Sequence, residues 1–260
     1  PCDVRERNSN SQQPNQDLDS LMRISRIYTP QALPADSLVE LDATRSHYLS
    51  RVLRLPLGAE VVLFNGNGQD FPGQIASADK KSTRVLLSKP VTINTESPLH
   101  TVLGLGISRG ERMDYAIGKS TELGVSIIVP LFTEHCEVKL NPERLDKRLE
   151  HWRQIVISAC EQCGRACVPD IATPQSLYNW VGSNPAGLKL LFDHTQTAAL
   201  PAQRPEAGVA LLIGPEGGLA DNEIAQAHAA GFTGIALGSR VLRTETAPVA
   251  ALSVLQYLWG

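Results

Sequence analysis

Residues 209–219 read Val-Ala-Leu-Leu-Ile-Gly-Pro-Glu-Gly-Gly-Leu, and this stretch decides the fold. Val209–Ile213 is an unbroken apolar run, as a strand buried on both faces requires. The turn Gly214-Pro215-Glu216-Gly217-Gly218 follows it directly, and Asn222–Ala230 then reads as helix. Strand, tight turn and helix, repeated along a chain, predict an α/β domain with a mainly parallel sheet covered on both faces.

The repetition is there on both sides. Upstream, Leu188–Phe192 is a buried strand that ends in Asp193, and Val102–Ile107 and Ile127–Val129 are two more. Between those two, Ser108-Arg109-Gly110-Glu111 has capping-box spacing and opens a helix that stops at Leu123-Gly124. Asn141 is placed to cap a long helix ending at Gly164, with Leu145, Leu149, Trp152, Val156, Ala159 and Cys163 on one apolar stripe. Trp152 on that stripe belongs to the core or to a subunit interface. Downstream, Gly234–Leu237 is a last strand. A closing helix carries Ala247, Ala250, Ala251, Val254, Leu255 and Leu258 along one face. Pro248 falls in its first turn, where a missing N–H is tolerated.

Before residue 90 the rhythm differs. Arg23–Tyr28, Leu38–Leu41, Glu60–Phe64, Phe71–Ala76 and Arg84–Leu87 are short strands, with a helical Ala43–Leu53 among them. Asn65-Gly66-Asn67-Gly68 between two apolar strands is a hairpin signal. The expected organisation is a small β-barrel over residues 22–92, a linker from Pro90 to Pro98, and the α/β domain over 98–260. Residues 1–21 have almost nothing to bury and no apolar core of a signal peptide, so they are expected to be a disordered extension.

Composition is that of a soluble globular protein, 42% hydrophobic and 20% charged. No apolar run approaches the ~18 residues of a membrane helix, so a cytoplasmic protein is expected. Net charge is −3, but residues 21–90 hold nine Lys or Arg against six Asp or Glu, whereas 91–260 hold thirteen against seventeen. A basic front section on an acidic body suits a module that grips phosphates, and equally an uneven solvated surface. Cys160, Cys163 and Cys167 have neither a paired second Cys-x2-Cys nor the spacing of known clusters, and read as small half-buried thiols. The six histidines, His47, His100, His135, His151, His194 and His228, lack metal spacing and are taken as structural. No metal is expected.

Three segments end at the carboxyl edge of the predicted sheet, where open α/β sheets bind ligands. They are Leu190–Asp193, Leu211–Leu219 and Leu237–Ala247. Glycines there let backbone approach a ligand closely. No phosphate-loop pattern is present, Pro215 removes a donor, and Glu216 would repel a phosphate while suiting a cation. Two such turns in one domain favour a ligand site over plain chain reversal.

Gly214-Pro-Glu-Gly-Gly218 and Gly238-x-Arg-x-Leu-Arg-x-Glu-Thr-Ala247 resemble the cofactor-binding signatures of the RsmE family, in the knotted SPOUT class of RNA methyltransferases. Arg23-Ile-x-Arg26-Ile-Tyr28 and His47-x3-Arg51-Val-Leu-Arg54 are similar to its PUA-like RNA-binding front module. Ser108–Glu111, Lys119-x2-Glu122-Leu-Gly-Val125 and Ala159–Arg165 resemble its other motifs. The resemblance covers the chain from Met22.

It implies methylation of uracil N3 in 16S rRNA of the small ribosomal subunit, a C-terminal trefoil knot, and a homodimer with S-adenosylmethionine as cofactor. The implied cofactor contacts are Leu191, Phe192, Ile213, Gly214, Glu216, Gly217, Leu237, Gly238, Val241, Leu242 and Thr244. Arg165, Arg240 and Arg243 are the candidates to stabilise a uracil anion, with Glu161 a candidate base, and the plainer role of these arginines is a buried structural pair with Glu161 or Glu245 as partner. Arg23, Arg26, Arg51, Arg54 and Arg109 are candidate RNA contacts. One departure is Ala220, where the family usually carries Ser or Thr as a helix cap; alanine there costs about 1 kcal/mol unless Asp221 takes over. The rival from another class is a non-enzymatic RNA-binding protein with a degenerate α/β domain.

Overall fold

The computed structural model describes residues 24–79, 82–137, 142–193 and 200–260. The expected extension 1–21, Arg23, the Asn141 cap and His194 lie outside the described residues. Among the described residues no helix is long and apolar enough to cross a membrane.

The front half is one six-stranded sheet. Its elements are β1 (Ser25–Tyr28), β2 (Leu38–Glu40), α1 (Ala43–His47), β3 (Glu60–Phe64), β4 (Gln69–Ala78), β5 (Thr83–Leu87) and β6 (Val91–Thr92). The strand order is β1-β3-β4-β5-β2, with β6 on β4. After α1 the chain continues through Tyr48–Val52 as a wider π-helical turn. The Asn65–Gly68 turn joins β3 to β4 antiparallel, as its sequence predicts. Period-two alternation sends Val61 and Leu63 into a core with Ile27, Leu49, Phe71, Ile75 and Val85.

The back half runs β7 (Thr101–Gly106), α2 (Gly110–Glu122), β8 (Ile127–Phe132), α3 (Pro142–Cys163), β9 (Asp170–Ile171), β10 (Gln175–Ser176) and α4 (Leu177–Ser183). It continues with β11 (Leu188–Phe192), β12 (Val209–Ile213), α5 (Asp221–Ala229), β13 (Thr233–Ile235) and α6 (Thr246–Trp259). The sheet order is β10-β8-β7-β12-β11-β13, with β9 also on β8. Every pairing is parallel. Along β12, Val209, Leu211 and Ile213 join a core with Met113 and Ile117 of α2, Trp152 and Val156 of α3, and Leu252 and Leu255 of α6. Ala210 and Leu212 face the other way, onto Leu177 and Trp180 of α4 and Ala227 of α5. That two-sided burial is why the 209–213 run has no polar position. Trp152, 1% exposed, belongs to the core. The two-residue strands β6, β9 and β10 and the short α4 carry too little periodicity for sequence to reveal.

Two caps differ from expectation. Ser108 is not the N-cap of α2; Arg109 occupies that position without a side-chain bond, because the Ser108 hydroxyl is drawn into the site described below. At α5, Asp221 does not replace the missing cap. The buried Glu223 carboxylate, three residues inside, accepts the Ala220 N–H at 2.9 Å and the Glu134 N–H at 2.9 Å. It serves the helix start and a neighbouring loop at once.

The two halves are wedged together. Phe64, next along β3, leaves the front core and joins the back core, with Tyr28 beside it. Arg26 pairs with Asp70, lies over the Phe64 ring and donates to the Arg165 carbonyl at 3.1 Å. The Tyr28 N–H donates to Glu161 at 2.9 Å.

Candidate functional site

Two parallel strands side by side, β11 and β12, end at one edge, and the segment that leads into α6 crosses over their ends. Between them opens a cleft of about 510 Å³, within the usual range for small-molecule sites. Leu191, Phe192 and Asp193 supply one wall, Ile213–Glu216 with Gly218 and Leu219 the floor, and Val241–Glu245 the facing wall. Of the residues expected at the cofactor, Leu191, Phe192, Ile213, Gly214, Glu216, Val241, Leu242 and Thr244 line this cleft. Gly217, Leu237 and Gly238 are in the same loops without lining it.

The edge is tied by short polar contacts. The Thr244 hydroxyl donates to the Gly214 carbonyl at 2.9 Å and lies 3.2 Å from the Ser108 hydroxyl, itself 3.2 Å from the Gly106 carbonyl. The ends of β7 and β12 and the run into α6 are thus held to one another. Packing is tight below them. A Cβ built on Gly106 would stand 2.5 Å from both Cδ and N of Pro215. The left-handed backbone in the Gly-Pro-Glu-Gly-Gly turn is at Gly218, φ 71°. Gly217 is constrained differently, since a Cβ there would meet His135 at 2.9 Å. The His135 ring also holds the Gly217 carbonyl, with Nδ1 at 3.1 Å.

Charge in the cleft is mixed and mostly acidic. Burial alone would raise the Glu216 carboxyl, but the Arg109 backbone N–H at 3.0 Å, together with Ser108 and the Arg112 guanidinium at 3.3 Å, holds it below its ordinary value. Arg243 stands at the mouth with its side chain 79% exposed. Glu245 pairs loosely with it at 3.9 Å through Oε1. Its Oε2 is buried and has no hydrogen-bond partner among the described residues. Sequence reasoning missed Arg112 and Asp193 as lining residues and took Glu245 only as a partner for Arg243. All three stand in or next to the quoted motifs, which was the available signal.

The remaining candidates are elsewhere. Arg165 is 5% exposed and wholly engaged. It forks onto Glu96 at 3.0 and 2.5 Å and donates to the carbonyls of Thr121 and Val125, at 2.9 and 3.0 Å, closing the end of α2. Burial raises the Glu161 carboxyl although the Tyr28 N–H counteracts it, and Glu161 sits at the junction of the two halves rather than in the cleft. Arg26 is consumed in the same junction. By contrast Arg51 and Arg54 are exposed and make no hydrogen bond or ion pair with a described residue. Arg54 does so from a left-handed backbone, φ 52°, a conformation rare for a residue with a side chain. Arg109 is exposed and paired with Glu137 at 2.6 Å. Among the described residues no group of three or more His, Cys, Asp or Glu is arranged to hold a metal. Burial pushes the Cys160 thiol up to about 12, which keeps it protonated.

Comparison with known proteins agrees with this geometry. Residues 95–256 match an RNA methyltransferase domain family and residues 41–87 an RNA methyltransferase PUA domain. The ribosomal RNA small subunit methyltransferase E of Buchnera aphidicola subsp. Schizaphis graminum is 37% identical over 92% of this chain and 98% of its own. The protein of that description from Bacillus subtilis is 27% identical over 81% and 86%. Among solved structures, a Legionella pneumophila protein in complex with bound SAM superposes with a TM-score of 0.87 at 42% identity, covering 90% of this chain and 98% of that one. Ribosomal RNA small subunit methyltransferase E from Neisseria gonorrhoeae, bound to S-adenosyl methionine, gives 0.85 at 36%, covering 91% and 98%.

Proposed function

Because this chain belongs to the ribosomal RNA small subunit methyltransferase E family, we propose that it transfers a methyl group from S-adenosylmethionine to N3 of one uridine in the 16S rRNA of the small ribosomal subunit, acting in the cytoplasm. The observation that carries the reading is the cleft at the ends of β11 and β12, whose size, apolar walls and carboxylates suit that cofactor. Leu191, Ile213 and Leu242 would flank its flat and apolar parts, the backbone of Gly214 would come close to it, and Glu216 would face its positive charge. When bound, the cofactor supplies an electrophilic methyl group. Everything else is positioning by the protein, since alignment of acceptor and donor can supply much of the acceleration. Arg243 at the mouth is the residue we assign to stabilise negative charge on the uracil oxygens once N3 is stripped of its proton. An intact cleft of this kind argues against a degenerate, purely RNA-binding α/β domain.

The front half, residues 22–92, is proposed as the RNA grip and residues 98–260 as the methyltransferase domain. Arg51 and Arg54 are its best-placed phosphate contacts, with Arg109 nearer the cleft. Replacing both Arg51 and Arg54 with Ala should weaken RNA binding and lower the salt slope by roughly 1.5, because each phosphate contact releases about 0.7–0.9 of a counterion. Affinity for S-adenosylhomocysteine should not move; an unchanged salt slope would remove these arginines from the interface. A trefoil knot in the back half is proposed as well, supported by the Thr244 contacts to Gly214 and Ser108. So is a homodimer, supported by the 90% exposed Tyr257 and the half-exposed Leu258 on α6.

The deciding assay is methylation of small subunits that lack the modification, with the product nucleoside identified by mass spectrometry. The expected product is N3-methyluridine, made by a species of about twice the 28.1 kDa chain mass. Another methylated nucleoside, or activity in a monomer at all concentrations, would refute the corresponding part.

A further inference from the structure

Methylation at uracil N3 requires that its imino proton leave, and the cleft contains three carboxylates, those of Asp193, Glu216 and Glu245. Glu216 is committed: it already accepts the Arg109 N–H at 3.0 Å and Arg112 at 3.3 Å, contacts that hold it charged and weaken it as a proton acceptor. Asp193 follows β11, on the wall opposite the Val241–Glu245 run, and already has an interaction within the protein. Glu245 differs from both. It stands two residues after Arg243 and lines the cleft, its side chain is 17% exposed, and its Oε2 is buried without a hydrogen-bond partner among the described residues. A buried carboxylate oxygen left without a donor is costly, and an N–H brought in by a ligand would relieve that cost.

We propose that Glu245 accepts the N3 proton of the target uridine, an inference that rests on the reading of the cleft as a uracil-N3 methyltransferase site. The N3–H bond breaks and its proton passes to Glu245 Oε2. The electron pair left on N3 forms the bond to the methyl carbon. The methyl–sulfur bond breaks and its electrons remain on sulfur, giving S-adenosylhomocysteine. Protonated Glu245 then returns its proton to solvent through the open mouth. Arg243, 3.9 Å from Glu245 Oε1, is on the same wall and is placed to meet the uracil oxygens while the proton moves. One wall of the cleft thereby holds both the acceptor of the proton and the cation that favours its departure. Transfer in the transition state, rather than full ionisation beforehand, is what allows a carboxylate to do this, and such assistance contributes about 10²–10⁴-fold.

The test is Glu245→Gln in the full-length protein, which keeps the shape and removes the proton-accepting oxygen. Single-turnover methylation of small subunits should fall by about 10²–10⁴-fold, while calorimetric affinity for S-adenosylhomocysteine stays within about twofold. The pH profile separates a proton acceptor from a mere structural role. The wild-type rate should be nearly flat across neutral pH, and the variant's rate should rise about tenfold per pH unit, since it then depends on uridine already ionised in solution. A Glu245→Gln rate that is flat with pH, or a loss of S-adenosylhomocysteine affinity as large as the loss of rate, would overturn the assignment. A wild-type product other than N3-methyluridine would overturn the underlying reading, and this proposal with it. Those outcomes are told apart by product analysis of the wild type alone.

Discussion

Replacing Gly106 with Ala is expected to abolish measurable binding of S-adenosylhomocysteine, a loss of at least about 100-fold, while leaving most secondary structure in place. The reason is backbone against backbone. The added methyl would stand 2.5 Å from Pro215 N and Cδ and 2.9 Å from the Gly214 carbonyl carbon. Neither can rotate away as a flexible side chain would, so the Gly214–Gly218 turn must move off the end of β7. Overpacking of this kind costs about 1–3 kcal/mol in stability, which a core of this size survives. The cleft floor does not survive it, because Ile213–Glu216 are its lining and Thr244 is anchored on the Gly214 carbonyl. Calorimetry on Gly106→Ala beside Gly182→Ala provides the check, because Gly182 has nothing within 4 Å of an added Cβ and no left-handed backbone. Affinity within twofold of the wild type for Gly106→Ala would mean that the turn yields without cost and that the cleft is not built as described.

Arg165→Ala should lower stability by roughly 3 kcal/mol, toward the low end for removal of one partner of a buried pair. For a chain of this size that corresponds to a fall in Tm of roughly 6–12 °C. Glu96, whose side chain is 34% exposed, can recover water. The carbonyls of Thr121 and Val125, where Arg165 donates from a buried position, cannot do so fully. Arg165→Lys should rescue little, since an ammonium cannot fork onto Glu96 and span two carbonyls together. If the guanidinium instead acted on the substrate, Arg165→Ala would keep its Tm and lose kcat. Thermal melts and turnover at a temperature where the variant is folded distinguish the two, and the structural role predicts kcat within a few-fold of wild type.

The contrast between Arg165 and Arg243 shows what kind of information is local. Both stand in motif-like runs and read alike from sequence, as cations near a nucleophile. One is fully bonded inside the protein and the other is 79% exposed at the cleft. The same division runs through the front half, where Arg26 is spent on Asp70 and on the Arg165 carbonyl while Arg51 and Arg54 remain uncommitted. The Ser108 hydroxyl likewise has the right spacing for a helix cap. It goes to the cleft edge because Thr244, 136 residues away, supplies a nearer partner.

What the sequence determined by itself was whatever depends on near neighbours along the chain. The apolar run 209–213, the short strands Glu60–Phe64 and Arg84–Leu87, the hairpin turn and the glycine-rich strand ends are each written within about a dozen residues, and each appears where expected. They suffice for a parallel α/β sheet with its ligand site at the carboxyl edge and a small β module ahead of it. What only the tertiary structure decided was which polar groups are available. A guanidinium or carboxylate is functional or structural according to the acceptors and donors that surround it, and here these are Asp70, 44 residues from Arg26, Glu96, 69 residues from Arg165, and the Tyr28 N–H, 133 residues from Glu161. Periodicity cannot report such pairings, because the free energy that fixes them is the cost of leaving a buried charge or carbonyl unpaired, and that cost arises only once distant segments have excluded the water.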